Sequence, residues 1–140
     1  MVATVLLLVG ATALTAQVPQ CPADLSAGSI KVQPSPGWTG VPSTRLLLSG
    51  AGVVIGRPDV EPRAELRGGA RQLSKRVTET TYSGLSEQEK WLICTYGRGG
   101  ELEQARPLPP EADQCVVRVT RSQYNDVTVA VACTNLAPSK

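Results

Sequence analysis

Cys115-Val-Val-Arg-Val-Thr-Arg121 and Val127-Thr-Val-Ala-Val-Ala-Cys133 are two alternating runs separated by the turn-forming stretch Ser122-Gln-Tyr-Asn-Asp126. Side chains along a strand point alternately to opposite faces, so each run gathers valines on one side. Pairing Arg121 with Val127 sets Val119 against Val129, Val117 against Val131 and Cys115 against Cys133. All the apolar partners then share a face, and a slip of one residue would turn the whole set over. Directly opposed Cα atoms in an antiparallel pair lie about 4.5–5.5 Å apart, within disulfide range. The hairpin therefore predicts a Cys115–Cys133 bond. The chain has four cysteines, so Cys94 falls to Cys21 by elimination. The other two connectivities stay open, but neither has a register behind it.

Period-two patterning continues upstream. Ser29-Ile-Lys-Val-Gln33 alternates until Pro34-Ser-Pro-Gly37 stops it. Arg45-Leu-Leu-Leu-Ser49 and Gly52-Val-Val-Ile-Gly56 are apolar runs joined by Gly50-Ala51, which reads as a hairpin or a bulged strand. A charged stretch follows from Arg57 to Arg76, then Val77-Thr-Glu-Thr-Thr-Tyr82, which has β propensity. Lys90-Trp-Leu-Ile-Cys-Thr-Tyr96 is the strongest candidate for a central strand. Gly97 to Asp113 reads as a long loop, extended at Pro107-Leu-Pro-Pro110. Ser86-Glu-Gln-Glu89 resembles a capping box, but a strand follows too soon for a helix, so a single turn is expected. The fold class is mainly β: a small antiparallel sheet domain with room for one short helix, stapled by disulfides.

Phenylalanine is absent, so the core falls to Val, Leu, Ile and Ala, with Trp38, Trp91 and Tyr96 as large fillers. In a chain of this size two disulfides, each contributing about 2–4 kcal/mol, are a substantial share of net stability. The net charge of +2 gives no support for nucleic acid or anionic membrane as a partner.

Val2 to Ala16 carries no charge and is too short to span a bilayer, which takes roughly 20 apolar residues. It reads as a signal peptide over residues 1–16, with Ala11-Thr-Ala13 fitting a small-x-small cleavage rule, although no Lys or Arg precedes it. The bland alternative is a buried N-terminal strand or helix. Residues 17–140 are then one β-rich domain, periplasmic or secreted, where cysteines pair. Gln20 and Pro19 ahead of Cys21 do not suit lipidation, so the mature chain is expected to lack a membrane anchor.

Few residues invite chemistry. Histidine is absent, which removes serine–histidine and cysteine–histidine nucleophiles. The cysteines lack the clustered spacing of a zinc site. Ser74 and Lys75 are adjacent, and on a strand they would point apart. The acid pairs Glu87 with Glu89 and Glu101 with Glu103 could in principle serve a glycosidase, but solvated loop charge is the plainer reading. Gly97-Arg-Gly-Gly100 has no strand-to-helix context for phosphate. The Arg57–Arg76 stretch lacks interleaved aromatics and reads as solvated surface. Trp38, next to Gly37, is expected to close a turn against the core rather than to stand exposed for a ligand. No catalytic, cofactor-binding or metal-binding residue is assigned.

Cys21-Pro22, Pro36-Gly-Trp38, Gly56-Arg-Pro58, Trp91-Leu-x-Cys94-x-Tyr96, Leu108-Pro109 and Cys115 occur in an order that resembles an uncharacterised family of small exported proteins of Gram-negative bacteria. The resemblance spans nearly the whole mature chain. It implies a periplasmic or secreted protein and supplies no site to carry over. Cys94-x-Tyr96 is also similar to short strands in bacterial lysozyme inhibitors of the envelope. The expected function is non-enzymatic binding or inhibition of a protein or glycan of the cell envelope. A structural envelope component and a carboxylate-dependent hydrolase are the alternatives.

Overall fold

A computed structural model describes residues 18–135, so the leader read at residues 1–16 lies outside the described residues. In chain order the strands are β1 (Asp24–Leu25), β2 (Leu46–Ile55), β3 (Ala64–Glu65), β4 (Gly69–Ser74), β5 (Val77–Tyr82), β6 (Lys90–Tyr96), β7 (Leu102–Pro107), β8 (Gln114–Arg121) and β9 (Val127–Thr134). The helical content of the described residues is one 3-10 turn, Ala27–Ser29. The mainly β, antiparallel reading holds.

The C-terminal hairpin has the register its valines require. Arg121 pairs with Val127, Val119 with Val129, Val117 with Val131 and Cys115 with Cys133. The last pair is a disulfide with Cα atoms 4.1 Å apart, and Cys21 bonds Cys94. β4, β5, β8 and β9 form one antiparallel sheet in that order. In the other, β2 pairs β6 and β6 pairs β7, while β1 and β3 cover opposite ends of the free edge of β2.

The two sheets close on one core. Leu48 and Val53 from β2 and Leu92, Cys94 and Tyr96 from β6 meet Tyr82 from β5, Cys115 and Val117 from β8, and Val127 and Val131 from β9. Each strand contributes alternate residues, as a sheet with one inward face must. Tyr96 is fully buried, and its hydroxyl donates to the Pro22 carbonyl at 3.0 Å. The aromatic filler thus holds the N-terminal segment that the Cys21–Cys94 bond ties to the same strand.

Other expectations are corrected. Of the two readings of Gly50-Ala51 the hairpin falls and the bulged strand holds: β2 runs through it as one strand with a bulge between Leu48 and Gly50. Ser29–Gln33 forms no strand, and its alternation has no neighbouring strand to pair with. The stretch from Gly97 to Asp113 contains β7, an exposed edge strand that ends at Pro107, where a missing N–H costs least. The charged stretch from Arg57 to Arg76 contains β3 and the wholly exposed β4. Trp38 does not fill the core: Pro36-Gly37 forms a turn closed by Trp38 N–H to the Ser35 carbonyl at 3.0 Å, and the indole is 77% exposed. Gly37 takes φ 84°, the left-handed value that suits glycine at the third position of such a turn.

Candidate interaction surface

The topology sorts the loops into two poles. Arg121 donates through Nη2 to the Ser49 carbonyl at 3.4 Å, and Gly97 N–H bonds the Leu47 carbonyl at 2.9 Å. These contacts bring the start of β2 and the ends of β6 and β8 to one end of the molecule. The β4–β5, β6–β7 and β8–β9 turns therefore open at that pole. At the opposite pole Lys90, Leu85, Pro110 and Asp113 tie together the β5–β6 and β7–β8 connections, and Gly56 N–H joins the β2–β3 connection to them through the Glu89 carbonyl at 2.7 Å.

Charge divides along the same axis. The first pole carries Lys75 and Arg76 on the β4–β5 turn, Arg98 on the β6–β7 turn and Arg121 at the end of β8, all exposed. None of these four forms a salt bridge with a carboxylate among the described residues. Of the acids at this pole, Asp24 pairs with Arg45 at 3.4 Å, Glu101 accepts from Gly99 N–H at 3.1 Å, and Asp126 accepts from Ser122 Oγ at 3.4 Å. Tyr124 stands 78% exposed at the tip of the β8–β9 turn. Asn125 beside it takes φ 66°, a left-handed conformation that Asn tolerates well. The opposite pole carries Asp59, Glu61, Glu87, Glu89, Glu111 and Asp113, against Arg57, which Asp59 binds at 2.6 Å, and Arg67, exposed just before β4, so acids outnumber cations there.

Lys90 at that second pole is 2% exposed, and its ammonium is fully occupied. It donates to the carbonyls of Pro110 at 2.8 Å, Leu85 at 2.9 Å and Gln88 at 3.3 Å. Burial lowers its pKa, while the charges of Glu111 and Asp113 raise it. With every proton bonded to backbone, this lysine fastens two connections and offers no free nucleophile.

The faces of the sheets hold two ion clusters. On β5, Glu79 accepts from Arg118 at 2.7 Å and Arg71 at 3.4 Å, and the Arg118 hydrogen bond is the main reason its pKa is lowered. On the other sheet, Arg63 Nη2 reaches Glu103 and Glu65, each at 3.0 Å, linking β7 and β3 across the two strands between them. The hydrogen bonds that Arg63 donates, to Glu103 first and Glu65 second, raise its pKa. Beside this bridge lies a groove of about 360 Å³, where Gly50 and Gly52 leave the strand bare above Val54 and Ile93.

The residues weighed for chemistry do not assemble. Glu103 is held by Arg63 and Glu101 by its own turn, while Glu89 accepts from Trp91 Nε1 at 3.1 Å and Glu87 sits in a tight turn at φ 61°. Ser74 Oγ accepts from Arg76 N–H within the β4–β5 turn. Gly97 and Gly100 supply left-handed residues to a hairpin turn. No group of three or more His, Cys, Asp or Glu among the described residues is placed to hold a metal ion. No helix among them is long and apolar enough to cross a membrane.

A family model described as "Type VI secretion system Tli immunity protein" matches residues 43–134, more than half of the chain. The chain belongs to the Tli immunity family. No curated protein and no solved structure matches it. The family segment takes in both sheets from β2 to β9 and all three turns of the basic pole, but not the Trp38 turn. Sequence reasoning singled out the cysteines and missed the charged turns. The Lys75-Arg76 pair, Arg98 and Arg121 lie far apart in the chain, and only the strand order brings them together.

Proposed function

We propose that this Tli family member is an exported immunity protein that neutralises a type VI secretion toxin by binding it. The family match over residues 43–134 carries the reading. Two disulfides within one core support it, because such bonds form and persist in oxidising compartments such as the periplasm. The apolar leader at residues 1–16 agrees with that location. Within this reading the mature protein is a soluble binder over residues 17–140, with the toxin as its partner in the envelope and binding alone as its mechanism.

The family favours inhibition over a purely structural role. The likeness to lysozyme inhibitors receives no support from a matching curated protein or solved structure. The test is protection. Cells that export type VI effectors of the same bacterium into their own periplasm are grown with and without the full chain. Rescue against one effector, with a complex of the two purified proteins on gel filtration, is the expected result. No rescue from any effector would overturn the proposal.

A further inference from the structure

We infer that the toxin is held at the basic pole, by Lys75, Arg76, Arg98 and Arg121 around Tyr124, and that the matching face of the toxin is acidic. The inference rests on the immunity reading and adds the surface and the chemistry of the partner.

Three observations carry it. The four cations come from two turns and the end of β8, and from both sheets, yet they lie at one end and lack carboxylate partners among the described residues. Unpaired cations gathered on one face keep their field for an incoming partner, which speeds encounter and selects acidic surfaces. Next, Tyr124 adds a rigid amphipathic anchor, the residue type that dominates interface energetics, in the midst of these charges. Third, the turns are short and internally bonded. Asn125 N–H bonds the Ser122 carbonyl at 3.2 Å, and Ser122 Oγ accepts from the N–H groups of Tyr124 and Asp126. A pre-organised surface loses little entropy on binding. The acidic opposite pole would repel the same partner, so the molecule presents one productive end.

The experiment uses the full mature chain with both disulfides formed. Its probe is the purified effector that wild type neutralises, and binding is read by interferometry at several salt concentrations. Lys75→Glu/Arg76→Glu/Arg98→Glu spares Arg121, which also bonds Ser49, and is expected to weaken binding by about 100-fold, mostly through slower association. Tyr124→Ala is expected to weaken it about tenfold or more, mostly through faster dissociation. Glu87→Lys/Glu89→Lys at the opposite pole should bind as wild type does. Near-native melting of each variant separates lost contact from lost fold.

Wild-type affinity in the triple variant, or a loss confined to the acidic-pole variant, overturns the inference and leaves the immunity reading intact. Absence of any effector bound by wild type overturns both. Vesicles of phosphatidylglycerol and phosphatidylethanolamine form a further arm. If the triple charge reversal abolishes vesicle binding and leaves effector binding unchanged, the pole serves a lipid headgroup and the inference fails.

Discussion

A single buried cation holds one end of the molecule together. Lys90 spends all three of its N–H bonds on carbonyls of the β5–β6 and β7–β8 connections, so removing it strands the buried Leu85 acceptor and the part-buried Gln88 and Pro110 ones. Lys90→Met keeps the side-chain volume and should cost about 2–4 kcal/mol, read as a lower denaturant midpoint with an unchanged slope. A cost near zero would mean that water replaces the ammonium. Glu79 gives a pH signature. Its folded pKa lies below the ordinary carboxylate value, so its contribution is present above that value and fades as pH falls through the lowered one. Stability should therefore decline as pH falls below the ordinary glutamate value of about 4.3, and Glu79→Gln should flatten part of that decline in denaturation scans. The sequence marks neither residue: Lys90 opens an apolar run and Glu79 lies among threonines, and both roles depend on partners from distant strands.

The elements were legible where one face is buried. β6, β8 and β9 alternate because the core takes every second side chain, and that alternation also set the Cys115–Cys133 register. β4 and β7 were missed because they are exposed edges, where no face needs to be apolar. The alternation of Ser29–Gln33 misled for the converse reason, since a pattern without a neighbouring strand makes no ladder. The disulfides differ as elements. Cys115–Cys133 closes a separation of 18 residues inside a hairpin, while Cys21–Cys94 spans 73 and fastens the N-terminal segment over β6. The loop-entropy relation gives about 3 and about 4 kcal/mol respectively. Replacing both cysteines of the longer bridge with Ser should thus lower stability by about 1 kcal/mol more than the same change in the hairpin. Urea titration of the two variants decides it, and equal losses would show that strain or residual structure outweighs loop length.

At the scale of the molecule, a net charge of +2 conceals two poles of opposite sign. The charged stretch from Arg57 to Arg76 looked like uniform solvated surface. The fold sends its charge-balanced beginning, with Asp59 and Glu61, to one end and its Lys75-Arg76 terminus to the other, because β4 crosses the length of the sheet between them. Composition cannot foresee that division, which depends on strand direction. Location is testable at this scale too. A chain starting at Gln17 and retained in the reducing cytoplasm loses both bridges, a large part of the net stability of a small domain. It should fail to protect cells whose periplasm receives the toxin, and immunoblots of each fraction would confirm that it stayed inside.

The pairing of first cysteine with second and third with fourth has a consequence for assembly. On a chain threaded N-terminus first into an oxidising space, Cys21 waits alone until Cys94 arrives, and both are present before Cys115 and Cys133. An oxidant that joins thiols in order of arrival then writes the native bonds directly. The yield of this protein should accordingly be indifferent to the loss of the cell's disulfide-shuffling enzymes.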